Sequence, residues 1–301
     1  MKKMKKFLLI ALFLAFFGGL SWPSKKSTSQ TTDVTLIGAC DIADGFGLNL
    51  SGAFATAALL DAYPSATVFA CGDLAYDNST ESDFANAYQP TWGRARARTI
   101  ASPGHHEYTI MNGAGFYSYW GTAGGPSGQG WRSLDLGAWH LVVLNANCGA
   151  VGCGTGGAQE TWLRNDLAAH TQACTLALFH EPLYTSSSEI TPNTAIQPLW
   201  QDLHNFNVDL VVNGHGHNYE RFAPQDANGN LDTANGIIEI VVGTGGVEHA
   251  PFNATIAPNS LVRNAATFGI LKLTLHQSSF DWQFVPVAGQ TFTDSGTQAC
   301  H

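Results

Sequence analysis

Gly214-His215-Gly216-His217 follows directly on the largely apolar run Val208 to Val212 and sets two imidazoles at the carboxyl end of what reads as a buried strand. Open α/β sheets build their sites at that end. Three more apolar runs stop at metal-competent side chains: Leu36 to Cys40 before Asp41, Val68 to Gly72 before Asp73, and Leu176 to Phe179 before His180. The turn Ser102-Pro103-Gly104-His105-His106-Glu107 adds two further histidines. Imidazoles and carboxylates gathered this way suit iron, zinc or manganese, and such a set holds two ions if a carboxylate bridges. Two cations held side by side acidify a shared water and bind a small anionic group. The zinc-peptidase helix motif is excluded, because Ile110 and Tyr184 stand where His106-Glu107 and His180-Glu181 would need a second histidine.

These residues need strands to carry them, and the pattern supplies them. From Asp33 onward, strand and helix alternate: strand Thr35 to Cys40, helix Gly52 to Ala62, strand Thr67 to Cys71, and a helical stretch near Ser82 to Tyr88. Alternation of this kind predicts βαβ units. A Gly/Ser/Tyr-rich excursion to Gly130 is long enough for a rim or lid. Strands near Trp131 to Leu136 and Trp139 to Leu144, helix Ala158 to His170, strand Thr175 to Phe179 and helix Ala195 to His204 lead into Val208 to Val212, where a parallel sheet would be complete. The last quarter has strands at Gly236 to Val242, Phe268 to Leu275 and Phe280 to Val287 without a convincing helix, which predicts antiparallel hairpins. The fold class is therefore α/β with an α+β-like C-terminal part: a two-sheet β-sandwich flanked by helices, its ligand-bearing strands in one sheet or split between both.

With 301 residues and 45% apolar content the chain can bury a large core. Lys2, Lys3, Lys5 and Lys6 precede the apolar run Phe7 to Phe17 and then Gly18, Gly19 and Ser21, the pattern of a secretory signal peptide over 1–21. Residues 22–32 read as a linker, and 33–301 as a single catalytic domain. Export, secreted or periplasmic, follows, with no stable membrane anchor expected. Net charge is -9, and only Lys272 follows Lys26 among lysines, so no basic patch for extended nucleic acid is expected. Six cysteines in an exported chain point to disulfides. Cys148 and Cys153 bracket a short loop and make the best pair, Cys300 is placed to tie the tail to Cys174, and Cys40 and Cys71 are core thiols or a bridge.

The blocks Asp41-Ile42-Ala43, Gly72-Asp73-Leu74-Ala75-Tyr76, Gly104-His105-His106-Glu107, His180-Glu181-Pro182-Leu183-Tyr184 and Gly214 to Arg221 resemble those of the calcineurin-like metallophosphoesterases, and within them the purple acid phosphatases. The resemblance runs from about Thr35 to the C-terminus. It implies two metal ions, Fe(III) plus a divalent zinc, iron or manganese. Asp41, Asp73, Tyr76 and His217 would hold the first, with Asp73 bridging to a second held by His105, His180 and His215. Ala43 stands where most of the family has a histidine ligand, and Tyr76 would replace it, a phenolate oxygen favouring ferric iron. His106 is implied as the residue that protonates the leaving oxygen or binds the phosphoryl group, with Glu220 and Arg221 orienting the ligand loop.

Two positions depart from the family pattern. His105 stands in place of an asparagine, and the stretch after His180 lacks the histidines with which plant-type members grip substrate. Glu189 in that stretch would repel a phosphate dianion unless it points outward. The expected activity is hydrolysis of small phosphate esters, monoester or diester. The alternative is a catalytically weakened phosphate- or nucleotide-binding protein on the same fold. His140, His170, His204 and His276 are expected to be packed or surface groups, and for His249 a packed position and a place lining the cleft both stay open.

Overall fold

Unbroken apolar runs form strands here because both faces of each are covered. The computed structural model describes residues 33–45 and 49–301, and the expected signal peptide and linker lie outside the described residues. β1 (Val34–Ala39), β2 (Thr67–Cys71) and β3 (Thr99–Ser102) run parallel to one another. β4 (Arg132–Leu136) pairs antiparallel with β5 (Trp139–Val143), and β5, β6 (Cys174–Leu178) and β7 (Leu210–Asn213) are again parallel.

The strands after β7 are shared between two sheets. β8 (Tyr219–Phe222), β9 (Ile238–Val242) and β10 (Ser260–Asn264) join β4 to β7 in a seven-stranded sheet, in the order β10-β8-β9-β7-β6-β5-β4. β11 (Gly269–Leu275), β12 (Ser279–Pro286) and β13 (Ser295–Ala299) extend the other sheet antiparallel, giving β13-β12-β11-β1-β2-β3. The expected antiparallel pairing of the last quarter is therefore right for β11 and β12, which the unforeseen β13 continues, and right for β9 on one side alone. Buried on both faces, β9 pairs parallel with β7 and antiparallel with β8, so the sheet does not end at Val212. The site-bearing strands divide between sheets: β1, β2 and β3 in one, β6 and β7 in the other.

Alternation within the buried runs fixes which face goes where. Leu141, Val143, Leu176, Leu178, Leu210 and Val212 belong to the core that also holds Leu36, Phe69, Leu271 and Phe280 from the opposite sheet. Their neighbours Val142, Ala177, Phe179 and Val211 face the helices Ala158–Ala169 and Gln197–Asn205, meeting Leu163, Leu167, Trp200 and Leu203. A one-residue slip in β6 would exchange these two packings.

Three disulfides fasten the described chain. Cys40–Cys71 joins the ends of β1 and β2, Cys148–Cys153 closes a short loop before the helix Ala158–Ala169, and Cys174–Cys300 links β6 of one sheet to the residue after β13 of the other. That last bridge spans 126 residues and constrains the unfolded chain most. Replacing Cys174 and Cys300 together by alanine is expected to lower stability by about 2–4 kcal/mol, measured as a shift in urea unfolding.

Candidate metal centre

Each strand of the set ends in a backbone turn that brings its last side chain back over the sheet edge. Asp41, Asp73, His215 and His217 have φ of 59°, 53°, 67° and 48°, the left-handed region that residues other than glycine rarely adopt. Four such residues at the ends of three strands form a concentration of local backbone strain of the kind found at functional sites. Glycines make the close approaches possible. A Cβ on Gly72, itself at φ 91°, would lie 2.6 Å from the His180 ring, and one on Gly214 would lie 2.6 Å from Asp41 Oδ2.

The carboxylates of Asp41 and Asp73 are fully buried. Each turns one oxygen to a backbone amide: Asp41 Oδ2 accepts from His215 N at 2.8 Å, and Asp73 Oδ1 from His106 N at 2.9 Å. The other oxygens face a shared space. Tyr76 Oη lies 3.0 Å from Asp41 Oδ1, 3.2 Å from Asp73 Oδ2 and 3.1 Å from His217 Nε2. On the far side of the same Asp73 oxygen stand His180 Nε2 at 2.9 Å and His105 Nδ1 at 3.0 Å. Ligand atoms of Asp73, His105, His180 and His215 all fall within 4.8 Å of one another. The seven residues expected as ligands thus meet in two groups that have Asp73 in common.

Electrostatics describe a hole for positive charge. Burial alone would raise the Asp73 pKa, but His180 and His105 hold it well below the usual carboxylate range, and His180 and His217 lower Asp41 likewise. Burial disfavours a charged His180, yet Asp73 and Asp41 hold its pKa up at about 10. His105 and His217 shift upward for the same reason, each beside its own aspartate. His215 is pushed down to about 3 by burial and by His180 and His105, so it stays neutral and one ring nitrogen offers a lone pair. Burial, Asp41 and Asp73 push the Tyr76 phenol well above its ordinary value, so without a nearby cation it stays neutral.

The donor set fits metal ions on these grounds. Among the described residues the ion pairs of Asp41 and Asp73 are to imidazoles alone, never to lysine or arginine. Buried carboxylates, imidazoles and a phenol are ligands that iron, zinc and manganese accept, and protons on the imidazoles leave when a cation enters. His106 lies beside this group, its ring 4.2 Å from that of Tyr76 and its Nε2 4.0 Å from Asp73 Oδ2. Its Nδ1 bonds the carbonyl of Asp77, which leaves Nε2 toward the centre.

The structure adds a residue to which the sequence reading gave no role. Glu107 is buried and accepts from Asp73 N at 2.9 Å, Leu74 N at 2.8 Å, Gly104 N at 2.6 Å and Ser79 Oγ at 2.7 Å. One carboxylate therefore fixes the β2 and β3 turns together. Burial and Asp73 raise its pKa, opposed by those donors. Asn147 similarly ties the β5 end to the β3 turn, donating Nδ2 to Gly104 O at 3.0 Å. An acid next to paired histidines was the available signal for Glu107, but three of its four partners are backbone amides, which carry no residue code.

The other expected residues lie further out. Glu220 is buried and accepts from Ser186 N at 2.7 Å and Ser260 Oγ at 2.5 Å, so it holds the segment after His180. Arg221 points to Asp294, with bonds of 2.6 and 3.1 Å, and lies over Trp282. Glu189 is exposed. His140 and His170 stack at 3.8 Å and share Asp166 at the opposite end of the sheet, while His204 and His276 pair with Asp232 and Asp281. His249 packs on Phe268.

Glu107→Gln is expected to cost about 1–3 kcal/mol for each buried donor it leaves unpaired. Urea denaturation reads that loss, and a metal titration is expected to show weaker uptake because Asp73 is no longer fixed.

Comparison with known proteins places this arrangement. The profile of calcineurin-like phosphoesterases matches residues 50–219. Purple acid phosphatase 23 of Arabidopsis thaliana is 31% identical over 180 residues, covering 53% of this chain and 38% of that protein. A second Arabidopsis thaliana relative, probable inactive purple acid phosphatase 24, is 29% identical over 258 residues, 70% of this chain and 39% of its own. The chain thus spans about two fifths of the length of these relatives. The purple acid phosphatase PPD1 from yellow lupin (Lupinus luteus) seeds shares the fold with a TM-score of 0.71 at 20% identity, over 90% of this chain and 54% of that one.

Proposed function

The chain belongs to the calcineurin-like phosphoesterase family, and from that premise we propose that residues 33–301 form a single catalytic domain that hydrolyses phosphate esters with two metal ions, in the manner of purple acid phosphatases. The observation that carries this reading is the position of Asp73 Oδ2, 2.9 Å from His180 and 3.2 Å from the Tyr76 hydroxyl, between two groups of donors. Asp41, Asp73, Tyr76 and His217 hold one ion, and Asp73, His105, His180 and His215 the other. The phenol favours ferric iron at the first, and the imidazole-rich second set suits divalent zinc, iron or manganese. When bound, such a pair neutralises phosphoryl oxygens and acidifies water for the attack on phosphorus.

The chain's own groups do the rest. Asp41 and Asp73 keep their orientation because each has one oxygen bonded to a backbone amide, so the second oxygen needs no reorganisation. His106, its Nδ1 bonded to the Asp77 carbonyl, delivers a proton from Nε2 to the leaving oxygen. His180 is oriented from behind, its Nδ1 3.0 Å from the carbonyl of Cys71, which directs Nε2 at Asp73. Glu220 sets the segment that begins at His180, and exposed Glu189 leaves the approach to phosphate open. Three disulfides support an exported protein, secreted or periplasmic.

Metal analysis with turnover of an aryl phosphate tests the reading. Two ions per chain and hydrolysis are expected, with His106→Ala lowering kcat by about 10²–10⁴-fold. Absence of a second ion and of turnover with both monoesters and diesters, from acid to alkaline pH, would sink it. In the oxidised, iron-loaded protein a visible tyrosinate-to-iron band is expected. Tyr76→Phe should abolish that band, and its survival would remove Tyr76 from the ligand set.

A further inference from the structure

Beside the His180 end of the centre is a cavity of about 310 Å³, small among ligand cavities, walled by the segment 146–150 with Glu181, Asn193 and Ala195. Glu181 is the single charged residue of this lining. Its Oε2 accepts from Asn193 Nδ2 at 2.7 Å, and the same nitrogen bonds Ala146 O at 3.1 Å, so the carboxylate is held against the wall. Among the described residues Oε1 has no hydrogen-bond partner, and no lysine or arginine pairs with Glu181.

The cavity is joined to the centre on two sides. Glu181 is the residue after His180, and Asn147 on the opposite wall bonds the carbonyl of Gly104, the residue before His105. A carboxylate fixed in this cavity, with no lysine or arginine paired to it among the described residues, repels a second anionic group and attracts a positive one. Alanine and glycine at 146, 149, 150 and 195 leave room for a short chain and offer no large apolar surface for an aromatic or long alkyl group.

We infer that this cavity receives the alcohol portion of the substrate and that Glu181 selects phosphate esters of short amino alcohols, its carboxylate accepting hydrogen bonds from the ligand ammonium group. The inference rests on the phosphoesterase reading and deepens it. Asn193 is the positioning partner of Glu181, and selection comes from charge, since a methyl in place of the ammonium keeps the shape.

Two non-hydrolysable ligands of that shape make the test: 3-aminopropylphosphonate and its neutral counterpart butylphosphonate, titrated calorimetrically into the metal-loaded protein at neutral pH. The aminopropyl compound is expected to bind about 10- to 100-fold more tightly, the range for a hydrogen bond to a charged group, and Glu181→Gln is expected to collapse that ratio. Equal affinities in the unmodified protein, or a preference that survives Glu181→Gln, overturn the role of Glu181. Aryl phosphate turnover in the same preparation then leaves the phosphoesterase reading standing. If neither phosphonate binds and the aryl phosphate is not hydrolysed, both readings fall.

Discussion

Two carboxylates, Asp41 and Asp73, sit in the dry interior with no lysine or arginine paired to either among the described residues. Bringing one ionised carboxyl out of water costs several kcal/mol after relaxation. Placing a second within reach of the same tyrosine hydroxyl adds like-charge repulsion. Imidazoles around them answer part of that charge, which is why His180, His105 and His217 all shift upward. Cations answer it more fully, and the fold is arranged so that the two acids cannot move apart.

What prevents their separation is backbone. The amides of His215 and His106 grip one oxygen of each aspartate, the β1 and β2 ends are joined by Cys40–Cys71, and Glu107 collects amides from the next two turns. Left-handed φ at Asp41 and Asp73 belongs to the same economy of space. A straight continuation of either strand would carry the carboxylate past the sheet edge. Strain in these turns is tolerated because the parallel strands beneath them are buried on both faces and do not yield.

Dividing the donors between sheets gives the site its asymmetry. β1 and β2 supply both aspartates and Tyr76, the oxygen-rich side, whereas β3, β6 and β7 contribute imidazoles. Asp73 faces both at hydrogen-bond distance, and Asp41 comes no nearer than 3.9 Å to His180. The surroundings are asymmetric too: beyond His106 is the Asp77 carbonyl, and beyond His180 is the cavity of Glu181.

Apolar runs ending in Asp or His were legible as strand ends, because a buried strand leaves a run of β-branched and aliphatic residues that a polar ligand must interrupt. The best cysteine pair was legible from its short loop. β8, β10 and β13 were not, since Tyr219–Phe222 and Ser295–Ala299 are short and partly polar and become strands only by pairing with neighbours already in place. β9 read as one arm of a hairpin because its sequence is equally suited to either partner direction. Glu107 was visible as an acid beside two histidines, but the partners it gathers from afar include the Asp73 and Leu74 amides after β2, and a sequence does not say which amides arrive. By itself, then, the sequence determined the kinds of donor and the strand ends that bear them, through local hydrophobicity and residue chemistry. Which donors share Asp73, which sheet each strand joins, and that Glu181 lines a cavity were decided by tertiary structure, because they depend on contacts between segments far apart in the chain, 176 positions between Asp41 and His217 and 241 between Val34 and Leu275.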